Sequence, residues 1–259
     1  MNNIKIIFFD VDGTLIDMKK KQISEKILET LSKLKKNGIK ICIATGRSPM
    51  QVPRFPGIEF DTFLTYNGSY CFDRYQEIFS NPLKKEDVHI IINNAKKMGR
   101  PLSLATKGRL ASNGADTDLK EYYGFAGLEV QIADDFDTVA NAEEIYQVML
   151  GCRKSEYETI MKDVKEAQIA AWWDRAVDII PLSGGKGVAV SRILEYYHLA
   201  KEESMAFGDG NNDIEMLKAV GKGVAMKNAS SELKAVADDV CDDVANDGIY
   251  LYCKEHGLI

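Results

Sequence analysis

The sequence predicts an α/β protein whose parallel-sheet core is interrupted by an inserted α+β unit. Three observations carry this. Short, nearly continuous apolar runs alternate with helical patterns near both ends of the 259-residue chain, the pattern of βαβ units in a parallel sheet. The middle of the chain lacks that alternation and reads as paired strands with occasional helices. Turn-forming residues separate the two textures, at Asn81-Pro82 and again at Pro181-Leu182-Ser183-Gly184-Gly185.

The elements follow in order. Ile4–Phe9 is an apolar run of the kind buried on both faces of a sheet. Ser24 is placed to cap a helix whose apolar face is Ile27, Leu28, Leu31 and Leu34, and Asn37-Gly38 stops it. Ile39–Ala44 and Thr62–Thr65 supply the next two strands, and a hairpin turns around Asp73-Arg74. In the inserted region, Lys84–Met98 forms an amphipathic helix and Ser112–Asp118 a polar turn-rich stretch. Strands are expected near Ile145–Gly151 and Gln168–Trp172, with a helix over Ser155–Val164 between them. Alternation then resumes: helix Lys186–His198, strand Ser204–Phe207, helix Asn211–Val220, strand Gly223–Ala225, and helices Ser231–Ala237 and Asp247–His256.

Composition excludes several classes. Hydrophobic residues are 45% and charged residues 28% of the chain, which fits a folded protein rather than a disordered one. The net charge of −6 argues against a nucleic-acid or anionic-membrane partner. No apolar run approaches the roughly 20 residues of a spanning helix. Asp10 and Asp12 cut the first apolar stretch, which is not the pattern of a signal peptide. Five dispersed cysteines without a C-x-x-C pair read as reduced thiols, so a cytoplasmic location is expected.

Four motifs sit at predicted strand or helix ends, where open α/β sheets bind ligands. Asp10-Val11-Asp12-Gly13-Thr14 places two carboxylates directly after the first strand. They suit a hard divalent cation, and Mg²⁺ prefers a few carboxylate oxygens plus water and phosphate. Ala44-Thr45-Gly46-Arg47 offers a hydroxyl, an amide and a guanidinium to an anion, and Pro49 is placed to start a helix whose N-terminus would add positive dipole. Lys186 stands at a helix start, against the dipole. Gly208-Asp209-Gly210-Asn211-Asn212-Asp213 adds a second acidic cluster with an amide donor. Each motif alone also fits an ordinary structural reading: a polar turn, a strand-to-helix turn, a solvated lysine, a helix cap. Together they are the parts for phosphoryl transfer onto an aspartate.

As an ordered set, these residues resemble the haloacid dehalogenase (HAD) superfamily, and within it the Cof-type phosphatases with a type IIB cap. The resemblance extends to Tyr66-Asn67-Gly68, Gly185-Lys186-Gly187, Ala225-Met226-Lys227-Asn228-Ala229 and Asn246-Asp247-Gly248-Ile249. It implies a doubly wound, Rossmann-like catalytic core at 1–80 and 182–259 and an inserted cap at 81–181. It implies Asp10 as the nucleophile, Asp12 as general acid and base, and Mg²⁺ held by Asp10, the Asp12 carbonyl and Asp209, with Asp213 orienting those ligands. Thr45, Gly46, Lys186 and Asn212 would clamp phosphate, and Arg47 would meet substrate or cap. The implied activity is hydrolysis of a small phosphorylated metabolite, a sugar phosphate or a phosphorylated cofactor. A phosphomutase of the same superfamily is the alternative. A phospho-aspartate signalling domain fits less well, because its phosphorylated aspartate sits on a later strand. In the cap, Trp172-Trp173-Asp174-Arg175 offers aromatic faces and a charged fork to a ring, or equally fills cap core and a hairpin turn.

Overall fold

The computed structural model describes residues 3–259. Strand β1 (Ile6–Phe9) is wholly buried and leads through a loop to α1 (Glu25–Lys36). Ser24 caps α1 by accepting from the Ile27 amide at 3.1 Å, and three lysines in the last turn complement the helix dipole. Strands β2 (Lys40–Ala44) and β3 (Thr62–Thr65) follow, then the hairpin β4 (Tyr70–Phe72) and β5 (Glu77–Ser80).

The inserted segment contains α2 (Lys85–Lys97), β6 (Leu102–Ala105), β7 (Leu110–Ser112), α3 (Thr117–Phe125), α4 (Phe136–Ala142), β8 (Gln147–Gly151), α5 (Tyr157–Ile160), β9 (Ala167–Ala170) and β10 (Ala176–Pro181). The chain then returns with α6 (Lys186–Tyr197), β11 (Ser204–Gly208), α7 (Ile214–Ala219), β12 (Lys222–Met226), α8 (Ser231–Val236), β13 (Asp239–Cys241) and α9 (Gly248–Glu255).

Two sheets result. The first runs β13-β12-β11-β1-β2-β3-β4-β5, parallel from β13 to β3 and antiparallel at the hairpin edge. β1 lies at its centre, with Phe8 opposite Ala206 on one side and Cys42 on the other. Apolar residues from both ends of the chain therefore share one core, in which Phe9 stacks on Phe207 at 5.5 Å. The second sheet, β7-β6-β8-β10-β9, is antiparallel and buries its own core against α2, α4 and α5. A third apolar cluster joins them: Tyr66, just after β3, stacks at 6.0 Å on Tyr146, and its hydroxyl donates to the Thr106 carbonyl at 2.7 Å. Among the described residues, no helix is long and apolar enough to cross a membrane.

Several expected elements are corrected. Pro49 starts only one 3₁₀ turn, Pro49–Gln51, so no helix dipole forms there; Pro53 and Pro56 preclude continuation. The Ser155–Val164 helix shrinks to a 3₁₀ turn and α5, and Asp163 turns left-handed at φ +65°. The Gln168–Trp172 strand ends at Ala170. The turn-rich 112–118 segment runs into α3, capped by Asp116, and the segment Asn211–Val220 begins with a 3₁₀ turn. Strands β10 and β13 and helices α3 and α4 carried no legible signal of their own.

Gly68 is where the loop after β3 meets the start of α6. Its φ is +96°, and a Cβ there would lie 2.5 Å from the Gly185 carbonyl oxygen. Gly68→Ala is expected to cost about 1–3 kcal/mol, from the backbone conformation and the clash together. Urea unfolding measures it, and a loss below about 0.5 kcal/mol would mean that the loop relaxes freely.

Candidate active site

The loops at the carboxyl ends of β1, β2 and β11 converge because these strands are neighbours in the sheet. Asp10 and Asp12 leave β1, Thr45 to Arg47 leave β2, and Asp209 to Asp213 leave β11. The start of α6 brings Lys186 beneath them. Lys186 is 1% exposed, and its Nζ lies 2.7 Å from Asp10 Oδ1 and 2.6 Å from Asp213 Oδ1. Asp213 is fully buried, and its other oxygen accepts from the Asp209 and Gly210 amides, both at 3.1 Å. Asp209 accepts from the Thr14 hydroxyl at 3.1 Å.

These contacts leave an excess of negative charge. Three carboxylates, Asp10, Asp209 and Asp213, place oxygens within 4.8 Å of one another, against one ammonium. Among the described residues they are the one such group of His, Cys, Asp or Glu side chains. Burial pushes Asp10 up to about 7 despite the pull of Lys186, with Asp213 and Asp12 adding repulsion. Burial and the charges of Asp10 and Asp213 raise Asp209 as well. Burial pulls Lys186 down, but Asp10 and Asp213 outweigh it and hold it above its usual value. A buried set of hard oxygen donors with surplus negative charge suits a divalent cation such as Mg²⁺, with Asp10 and Asp209 as its carboxylates. Both oxygens of Asp213 are already engaged, which fits it to orient rather than ligate.

Gly13 is required by this packing. Its φ is +91°, and a Cβ there would lie 2.1 Å from Asp209 Oδ2. Asn228 closes the same corner, donating to the Gly13 carbonyl at 2.8 Å.

Arg47 lines the cavity described below and forks onto Asp12, Nε to Oδ2 at 2.8 Å and Nη2 to Oδ1 at 2.5 Å, because adjacent parallel strands end side by side. Thr45 Oγ1 accepts from the Arg47 amide at 3.1 Å, and the Gly46 carbonyl accepts from Gln147 of β8 at 3.2 Å.

A cavity of about 320 Å³ opens above, with Asp10, Asp12 and Asn212 on one side and Tyr122, Phe125 and Trp172 on the other. Of the tetrapeptide 172–175, Trp172 faces this cavity, and its indole donates to the Tyr122 hydroxyl at 3.0 Å. Arg175 is turned away, bound to Asp118 at 2.6 Å and Glu121 at 2.7 Å, so the charged fork is not a ligand group. Sequence reasoning missed Tyr122, Gln147 and Asp178. Asp178 stands out only once β10 is known, as a lone charge inside the apolar strand Ala176–Pro181.

Comparison with known proteins agrees with this geometry. The model of the haloacid dehalogenase-like hydrolase family matches residues 7–252. Putative phosphatase YkrA of Bacillus subtilis (strain 168) is 32% identical over 256 residues, spanning 98% of each chain. The 5-amino-6-(5-phospho-D-ribitylamino)uracil phosphatase YitU of the same organism is 27% identical over 268 residues, spanning 97% of each. The solved structure of the HAD subclass IIB sugar phosphatase BT4131 superposes with a TM-score of 0.92 at 28% identity, covering 98% of this chain and 100% of that one.

Two outcomes follow from the charge balance. Folded metal-free Asp10 titrates near 7 rather than at its ordinary 3.8, so the folded state holds a proton that the unfolded state releases. The Asp10 contribution to stability is therefore lost as pH rises from about 4 through 7. Asp10→Asn removes that loss, so in EDTA its stability relative to the parent should rise from pH 5 to pH 8, whatever its sign; a flat difference in thermal melts would contradict the assignment. Gly13→Ala displaces Asp209, and calorimetric titration with Mg²⁺ should show affinity reduced about tenfold or more.

Proposed function

The chain belongs to the haloacid dehalogenase-like hydrolase family, and we propose that it is a Mg²⁺-dependent phosphatase of small phosphorylated metabolites, working through an aspartyl-phosphate on Asp10. The observation that carries this reading is the juxtaposition of Asp10 and Asp12 at the mouth of one cavity, with Lys186 and the surplus carboxylates behind them. The division of labour is 1–80 and 182–259 for phosphoryl transfer and 81–181 for recognition of the leaving group.

Asp10, the Asp12 carbonyl and Asp209, oriented by Asp213, would hold Mg²⁺, which would supply positive charge to offset that of the phosphate facing the carboxylates. Lys186 holds Asp10 by one oxygen, leaving the other to attack phosphorus. The bond from phosphorus to the ester oxygen breaks as that to Asp10 forms. Asp12 gives its proton to the departing alkoxide, then takes one from the water that attacks the aspartyl-phosphate. Inorganic phosphate leaves and Asp10 is restored. Thr45, the Gly46 amide and Asn212 hold the phosphate oxygens. Arg47 pairs with both Asp12 oxygens in the resting site, and that pair opens for Asp12 to carry the proton it delivers.

The relatives' activities, toward a phosphorylated ribitylaminouracil in one and sugar phosphates in another, support a small phosphorylated metabolite as substrate. The cavity volume fits the same size class. A cytoplasmic location agrees with five free, buried cysteines.

A phosphate-release assay over sugar phosphates and phosphorylated cofactors tests the reading. Activity is expected with Mg²⁺, lost in EDTA and regained on adding the ion. Asp10→Asn and Asp12→Asn should each reduce kcat about 10²–10⁴-fold. Full activity in Asp10→Asn or in EDTA would sink the mechanism, and isomerised product without free phosphate would make the enzyme a mutase.

A further inference from the structure

Asp178 is 1% exposed in the middle of β10, between Val177 and Ile179, which are both fully buried. An apolar residue there would avoid the desolvation cost of a carboxylate. Its partners are neutral. Tyr122 Oη donates to Oδ1 at 2.8 Å, and Asn67 Nδ2 donates to Oδ2 at 2.8 Å. Burial accordingly pushes Asp178 up to about 7.

Each partner continues the chain of bonds. Tyr122 accepts from Trp172 Nε1 at 3.0 Å. Asn67 also donates to Gln147 Oε1 at 3.0 Å, and its own Oδ1 accepts from Asn212 Nδ2 at 3.0 Å. Every donor therefore meets an acceptor along Trp172, Tyr122, Asp178, Asn67 and Asn212. Turning over the Asn67 amide would set its NH₂ against that of Asn212, so its orientation is fixed. Asn67 itself is held left-handed, at φ +51° and ψ +30°, in the loop after β3. The two ends of the chain of bonds, Trp172 and Asn212, line the same cavity, one from each sheet's side.

We propose that Asp178 is a positioning residue: through Tyr122 and Asn67 it locks the aromatic wall at Trp172 in register with Asn212, so that leaving group and phosphate are seated together. This rests on the phosphate role given to Asn212 above. Asn at position 178 would have one acceptor oxygen for two donors, and would break the relay without changing size.

The test is a double-mutant cycle between Trp172→Ala and Asn212→Ala, read as kcat/KM on p-nitrophenyl phosphate with Mg²⁺, in the parent and in Asp178→Asn. The parent should show non-additivity of about fivefold or more, and Asp178→Asn additivity within about twofold. A packing role alone would lower stability without erasing that coupling. Equal coupling in both backgrounds, or none in the parent, overturns the proposal. Where Asp178→Asn does not fold, Tyr122→Phe cuts the same relay at one hydroxyl and carries the same expectation. If the parent hydrolyses no phosphate ester, the phosphatase reading fails separately. The relay is then read in Trp173→Phe, where Trp172 is the remaining indole. Its emission should respond to inorganic phosphate plus Mg²⁺, and Asp178→Asn should abolish the response. A response equal in both, or absent in the parent, overturns the relay.

Discussion

Lys186 is the point on which the site depends. It is buried between Asp10 and Asp213, and so ties the loop after β1 to the loop after β11 through the first turn of α6. Removing one member of such a buried group leaves uncompensated charge, at a typical cost of about 3–5 kcal/mol. The arrangement stays unbalanced even when intact, because three carboxylates face one ammonium. That imbalance is the physical basis for reading the site as one that takes a divalent cation and an anionic substrate, in a chain whose overall charge is negative.

The close approach of these loops is bought with backbone freedom. Gly13 and Gly68 occupy left-handed conformations where a Cβ would meet Asp209 or the Gly185 carbonyl. The first keeps room for Asp209 beside the β1 loop, and the second lets the loop after β3 lie on the start of α6. Both lie just beyond strand ends, so a rigid sheet fixes loops that carry the polar chemistry.

The inserted segment contributes the other side of the cavity, from α3 and the loop after β9. Its aromatic residues Tyr122, Phe125 and Trp172 face Asp10 and Asp12, and Asp178 and Gln147 reach across to Asn67 and Gly46. The seam is thus polar and directional near the site and apolar away from it, where Tyr66 and Tyr146 stack. Orientation at such a seam is set by donor–acceptor matching, which apolar packing alone does not specify.

The amino-acid sequence by itself determined the parallel sheet and the carboxylate-rich loops. The apolar runs Ile4–Phe9 and Ile39–Ala44, and Asp10, Asp12, Asp209 and Asp213 after their strands, obey local rules of periodicity and capping that need no partner to be legible. Local pattern did not reveal β10, whose central aspartate interrupts an apolar run, nor the short α3 and α4, whose faces are defined by what they pack against. Nor did it reveal that the side-by-side ends of β1 and β2 join Arg47 to Asp12. Which of two tryptophans faces the cavity, and that Arg175 turns away from it, depended on contacts with Tyr122 and Asp118 about fifty residues distant in the chain. Chemistry at a strand end is written in the residues that stand there. Geometry across two sheets exists only once both have folded, because the hydrogen bonds that set it join side chains with no local relation to one another.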